Sequence, residues 1–206
     1  MKEADLVNAC IISPERDREE SLAGLLGRMG RMARGLQYAE GLNPAQWECL
    51  RFLASANRHS QTPGALAVYM GSTKGTASQT VIALEGKGLL RRVHGRPDRR
   101  VTTIEVTEGG NELLSRDPLL SLRRVLAGLP NDVAQSLVVG LTHLMHELTE
   151  RHGWRSFGVC PECGHFRRAE GGGSAHCDKL KINLEIGETD RICVDFQLYM
   201  TPDSAE

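Results

Sequence analysis

The sequence predicts a mainly α-helical chain with one small β-hairpin, an α+β fold. Three observations lead there. Apolar residues recur at helical spacing over long stretches, as Leu22, Leu25, Leu26, Met29, Met32 and Leu36 do. Proline, glycine and small hydroxyl residues fall where such stretches would start and stop, at Asn43-Pro44, Thr62-Pro63, Gly71-Ser72-Thr73 and Gly88. One run, Val101 to Val106, is instead rich in β-branched residues and suits a strand.

Taken in order, residues 17 to 39 read as an amphipathic helix with Arg28, Arg31 and Arg34 along it. Gly41-Leu42 ends it. Asn43 can cap a second helix and Pro44 fits its first position, because proline lacks the N–H that would be unpaired there anyway. That helix is expected to run to about Ala56 and to bury Trp47, Leu50, Phe52 and Leu53, with Cys49 an inert core thiol. Thr62-Pro63 opens a short third helix ending near Met70-Gly71. Ser72 or Thr73 then caps a fourth, from Lys74 to about Lys87, which Gly88 stops. Leu89 to His94 reads as a strand, Gly95 to Arg100 as a basic turn, and Val101 to Val106 as the returning strand. Thr107 caps a helix from 108 to 128, bent at Asp117-Pro118. Pro130-Asn131 starts the last long helix, striped with Val133, Leu137, Leu141, Leu144 and Leu148.

Two short helices joined by a tight turn, the second with small polar residues at its start, make a helix-turn-helix. A hairpin with an arginine-rich tip directly after it makes the wing. The major groove admits one helix, and residues near that helix's N-terminus reach base edges. Here those are Lys74, Thr76, Ser78 and Gln79. Gln79 can pair with an adenine edge, Lys74 can reach a guanine or a phosphate, and Thr76 offers a hydroxyl and a methyl. On the wing, Arg96, Arg99 and Arg100 suit the narrow, strongly negative minor groove of A·T tracts, and Asp98 would hold an arginine in place.

Residues 17 to 152 resemble the MarR family of winged-helix regulators. The likeness lies in Gly71-Ser72-Thr73-Lys74-Gly75-Thr76-Ala77-Ser78-Gln79-Thr80 and in Leu84-Glu85-Gly86-Lys87-Gly88-Leu89-Leu90, the recognition helix and its exit. Asp98-Arg99-Arg100 and Val106-Thr107-Glu108-Gly109-Gly110 match the wing signature. The resemblance implies a homodimer with intertwined first and last helices on a pseudo-palindromic double-stranded DNA operator. It also implies a signal that changes the spacing of the two DNA-reading lobes, with repression the usual outcome.

After His152-Gly153 the composition changes, so the chain is expected to divide into a DNA-binding and dimerisation domain, 1–153, and a small module, 154–206. The module carries Cys160, Cys163, Cys177 and Cys193, spaced C-x2-C, x13, C, x15, C. A C-x2-C pair lets two thiolates chelate one centre across a tight turn, and four thiolates suit tetrahedral zinc or an iron–sulfur cluster. The wide second spacing loosens a zinc-ribbon reading. Cys163-Gly164-His165-Phe166 and Cys193-Val194-Asp195-Phe196 each set an aromatic residue near a cysteine, which suits an apolar shell around a cluster. The pattern is similar to small high-potential-type four-iron modules, which implies a [4Fe-4S] cluster and redox, oxygen or iron sensing. Structural zinc, with a small aromatic or phenolic ligand as the signal, is the alternative. His165 and His176 read as neighbours of the ligands rather than ligands.

Charge fits a local rather than a general attraction for DNA. The net charge is −1. From Trp154 onward six Lys and Arg stand against nine Asp and Glu, which leaves 19 against 17 in the rest. No stretch approaches the roughly 18 apolar residues of a membrane span, and the first 14 residues lack a secretory signal's pattern, so the expected compartment is the cytoplasm, with no membrane partner. No phosphate loop, dinucleotide fingerprint or nucleophile–base arrangement is present, which argues against an enzyme.

Overall fold

A computed structural model describes residues 18–94, 102–168, 174–185 and 187–198. The chain divides into two compact units, residues 1–44 and 45–206. The first holds helix α1 (Arg18–Leu36), with Glu19 and Glu20 in its first turn and Arg34 in its last, charges placed to suit the helix dipole. Leu22, Leu26, Met29, Met32 and Leu36 on it are all exposed.

Helix α2 (Pro44–Ser55) carries the core residues into the second unit. Trp47, Leu50, Phe52 and Leu53 are all but completely buried, as expected. Leu66 of α3 (Pro63–Tyr69), Val81 and Leu84 of α4 (Lys74–Gly86) and Ile104 of β2 (Thr102–Val106) are buried as completely. Each such side chain contributes about 1.5–3 kcal/mol on leaving water. Strand β1 (Leu90–His94) pairs antiparallel with β2, from Leu90 opposite Val106 to His94 opposite Thr102. The connecting turn, with Arg96, Asp98, Arg99 and Arg100, lies outside the described residues.

Where one bent helix was expected from 108 to 128, there are two, α5 (Glu108–Leu114) and α6 (Leu120–Ala127). Pro118 has no N–H to continue the ladder. Asp117 completes the break. Its carboxylate accepts from the Leu119 N–H at 2.8 Å and from Arg51 of α2 at 2.5 and 2.8 Å. Helix α7 (Asn131–His152) follows and buries no residue; it ends at Gly153, whose φ of 62° is the left-handed stop that glycine permits.

The C-terminal segment is small and irregular. A single 3-10 turn (Cys160–Glu162) precedes a three-stranded antiparallel sheet of two-residue strands, β3 (Phe166–Arg167), β4 (His176–Cys177) and β5 (Ile182–Asn183). It lies in the same compact unit as the winged helix. Tyr69 links the two, its ring stacked on Phe52 at 4.3 Å and tilted against Phe157 at 5.1 Å.

Candidate nucleic-acid interface and cysteine site

Two threonine caps shape the helix-turn-helix. The Thr62 hydroxyl accepts from the Ala65 N–H and starts α3, and the Thr73 hydroxyl accepts from the Thr76 N–H and starts α4, both at 3.1 Å. Between them Gly71 takes φ +56°, which turns the chain in four residues. Of the two caps open in the sequence, Thr73 holds the position.

Burial of Ala77, Val81 and Leu84 fixes which side of α4 faces the core. Lys74, Gly75, Thr76 and Gln79 are therefore exposed together at its N-terminal end, while Ser78 is only half-exposed. Thr76 is partly engaged: its hydroxyl lies 2.9 Å from that of Thr73, and its carbonyl accepts from Thr80 at 3.2 Å. Ile82 of α4 is also exposed. On the stem of the hairpin, Arg91 pairs with Glu105 at 2.6 Å and Arg92 with Glu85 at 3.3 Å. These two arginines stiffen the stem and brace it against α4.

Residues 40–101 match the model of the MarR family. They span the helix-turn-helix and the first wing strand. The transcriptional repressor MprA of Escherichia coli, strains K12 and O157:H7, is 33% identical over 76 residues, 37% of this chain and 43% of that protein. The chain thus matches less than half the length of these curated relatives. Among solved structures, a MepR–DNA complex from S. aureus superposes with a TM-score of 0.51 at 19% identity, covering 65% of this chain and 99% of that one. CouR from Rhodococcus jostii, bound to p-coumaroyl-CoA, gives 0.52 at 23%, covering 63% and 95%. A MarR family protein from Bacillus stearothermophilus gives 0.51 at 21%, covering 72% and 99%. The fold is therefore MarR-like. The family match ends before the first of the four clustered cysteines.

Those cysteines are brought together by the backbone. The Cys163 N–H donates to the Cys160 carbonyl at 2.9 Å, closing the C-x2-C turn. The Cys193 N–H donates to the Gly158 carbonyl at 2.9 Å, two residues before Cys160. Cys177 sits opposite Phe166 in the β3–β4 ladder, three residues beyond Cys163. All four are free thiols. Cys160 and Cys193 are buried, and burial together with Cys193, Cys163 and Cys177 pushes the Cys160 thiol up to about 11. Of the two aromatic residues flagged by the sequence, Phe166 stands opposite Cys177 in the β3–β4 ladder, and the Phe196 ring packs against Gly158. Among the described residues, no group of three or more His, Cys, Asp or Glu side chains is set as a ready-made metal site. The fit to a thiolate-ligated centre thus rests on donor chemistry and on the backbone convergence. Four thiols are a soft donor set, suited to zinc or iron–sulfur.

His176 is engaged elsewhere, its Nδ1 3.1 Å from the Asn183 Oδ1. Cys49 is fully buried in the core, as expected, and burial followed by the charge of Glu48 pushes its thiol up to about 12. Cys10 lies outside the described residues. No described helix is long and apolar enough to cross a membrane.

Proposed function

We propose that the protein is a dimeric, sequence-specific regulator of transcription, a repressor in mode, that reads duplex DNA with α4 and the β1–β2 wing. We further propose that it takes its signal at a thiolate-ligated iron–sulfur centre held by Cys160, Cys163, Cys177 and Cys193. The observation that carries the first part is the exposure of Lys74, Thr76 and Gln79 on one end of a helix whose opposite side is locked into the core. A helix of about 10–12 Å diameter fits the major groove of about 12 Å. Ser78 contributes less than its neighbours because it is half-covered. The wing arginines Arg96, Arg99 and Arg100, with Asp98, complete the reading in the minor groove. The named repressor relatives and the MepR–DNA complex support this reading.

A second copy of the chain is the partner. The stripe predicted on α7 is exposed throughout, at Val133, Leu137, Leu141, Leu144 and Leu148, and α1 presents its own apolar row. Apolar surface on that scale is unusual on a monomer.

The convergence of four cysteines with two buried thiols and two flanking phenylalanines supports the second part. When bound, an iron–sulfur cluster would supply a centre sensitive to redox state, oxygen and iron. Residues of the chain hold it, shield it and connect it to the rest of the fold. A zinc-containing regulator that answers to a small aromatic ligand is a second reading, favoured by a cavity of about 440 Å³ lined by Tyr69, Phe157, Phe196, Met145, His146 and Arg155.

Anaerobic purification with metal analysis and mobility-shift assays separates the two. Brown protein absorbing near about 400 nm, whose DNA affinity changes on exposure to air, supports the first. Colourless zinc protein released from DNA by an aromatic acid, and not by air, would establish the second in its place.

A further inference from the structure

The C-terminal segment is built into the floor of the DNA-reading lobe, at the corner between α2 and α3. Ile192 bridges Ala56 in parallel: its N–H donates to the Ser55 carbonyl and its carbonyl accepts from the Asn57 N–H, both at 2.9 Å. Next to it, Arg191 donates from Nε to the Ala56 carbonyl at 2.8 Å and from Nη2 to the Ala54 carbonyl at 2.7 Å. Carbonyls at a helix C-terminus lack intrahelical partners and carry the negative end of the dipole, so a guanidinium suits them. Arg58 adds a hydrogen bond from its N–H to Glu188 at 2.8 Å and an ion pair with Glu185.

The buried polar residues of this corner complete the joint. Asn57 and Ser60 are 4% and 1% exposed. The Asn57 side-chain oxygen accepts from the Ser60 N–H at 2.9 Å, and the Ser60 hydroxyl accepts from the Val194 N–H at 3.1 Å. Val194 directly follows Cys193. On its other side the same corner holds the DNA-facing elements. The Gln61 carbonyl accepts from the Ile104 N–H of the wing at 2.8 Å, and Thr62 caps α3. Residues 57–62 thus join the backbone around Cys193 to both the wing and the helix-turn-helix.

We propose that Arg191, Asn57 and Ser60 are positioning residues for DNA recognition, setting the α2–α3 corner according to the state of the cysteine centre beside them. This rests on the reading of DNA binding and of a thiolate centre given above. The coupling runs within one lobe and bypasses the dimerising helix α7. It is carried by a chain of hydrogen bonds, several of them buried, in which a shift at one end must be accommodated at the other.

The test uses full-length protein purified anaerobically, its metal content measured, and a duplex selected for tight binding. Duplex affinity is compared for loaded and chelator-stripped protein in the wild type, in Ser60→Ala and in Arg191→Met. Hydrogen exchange of the 54–62 segment is followed in parallel. For the wild type, stripping should weaken binding about tenfold, within the usual range of allosteric coupling, and raise exchange over 54–62. In the variants, metal content and cooperative melting are retained, but the loaded-to-stripped ratio falls toward one. If Arg191→Met does not fold, Ser60→Ala alone decides. Variants that keep the full ratio overturn the proposal, as does a wild type whose affinity changes with no change of exchange over 54–62. Wild-type protein that holds no metal, or binds no duplex, instead overturns the reading beneath it, and each is seen directly in the metal analysis or the binding curve.

Discussion

Two adjacent glycines at the start of α5 should respond to alanine with opposite signs. On helix propensity alone, Gly109→Ala and Gly110→Ala would each stabilise the protein, by up to about 1 kcal/mol. A Cβ on Gly109 would meet nothing closer than 3.9 Å, so that gain should be realised there. A Cβ on Gly110 would stand 2.7 Å from the Val106 Cγ1 and closer still to the Leu89 carbonyl oxygen. The Leu89 oxygen is backbone and accepts from the Thr107 N–H, so it cannot swing away as a side chain would. Overpacking of this kind costs about 1–3 kcal/mol. Set against the propensity gain, the net for Gly110→Ala is a loss of about 0–2 kcal/mol. The difference between the two variants should therefore be about 1–3 kcal/mol, or roughly 2–12 °C in melting temperature at about 2–4 °C per kcal/mol for a domain of this size. Thermal and urea unfolding followed by circular dichroism measure it. A Gly110→Ala protein as stable as Gly109→Ala would refute the close packing of α5 on the hairpin.

Other consequences are equally direct. Lys74→Ala should weaken duplex binding across all sequences and lower the slope of log affinity against log salt by about one. Gln79→Ala should instead cost about 1–3 kcal/mol at a single base-pair position and relax preference there, read by competition with point-substituted duplexes. Burial alone would raise the Asp117 carboxyl, but the Arg51 and Leu119 hydrogen bonds and the Arg51 charge outweigh it and hold it below its ordinary value of 3.8. The stabilisation from this pair is therefore fully present above about pH 4 and fades as pH falls through the lower folded value. Asp117→Asn should cost about 1–3 kcal/mol at neutral pH, with the gap from wild type narrowing in acid-unfolding curves. Native protein at pH 8 should leave Cys49 unalkylated by iodoacetamide, as peptide mass spectrometry can verify, because burial and Glu48 keep the thiol protonated.

Much of the fold was legible because its boundaries are set by local chemistry. Thr62-Pro63, Thr73 and Gly88 act through caps and a left-handed turn that depend on a few neighbouring residues. The exposed N-terminal end of α4 was legible for the same reason, since a helix start and a buried periodicity together define its outer face. The break at Asp117-Pro118 was underestimated. Proline alone allows a bend, but the full break also draws on Arg51, 66 residues away. The roles of Arg91 and Arg92 as stem braces, and of Arg191 and Ser60 as a joint, likewise depend on distant partners. No spacing rule encodes a hydrogen bond from residue 194 to residue 60. Of the backbone links near the cysteines, the C-x2-C turn is local and could be read from sequence, whereas the bridge between Cys193 and Gly158 is long-range and could not.

The central claim is that α4 reads a specific duplex from two copies of this chain, and selection from a random duplex pool tests it most directly. Full-length protein should enrich a two-fold, pseudo-palindromic site, with half-sites about one helical turn apart, and bind it with a dissociation constant on the order of 10⁻⁸–10⁻¹¹ M at physiological salt. Substituting both Lys74 and Gln79 with alanine should abolish the enrichment. A pool that stays random, or a selected site that the doubly substituted protein binds as tightly as the wild type, would contradict the account.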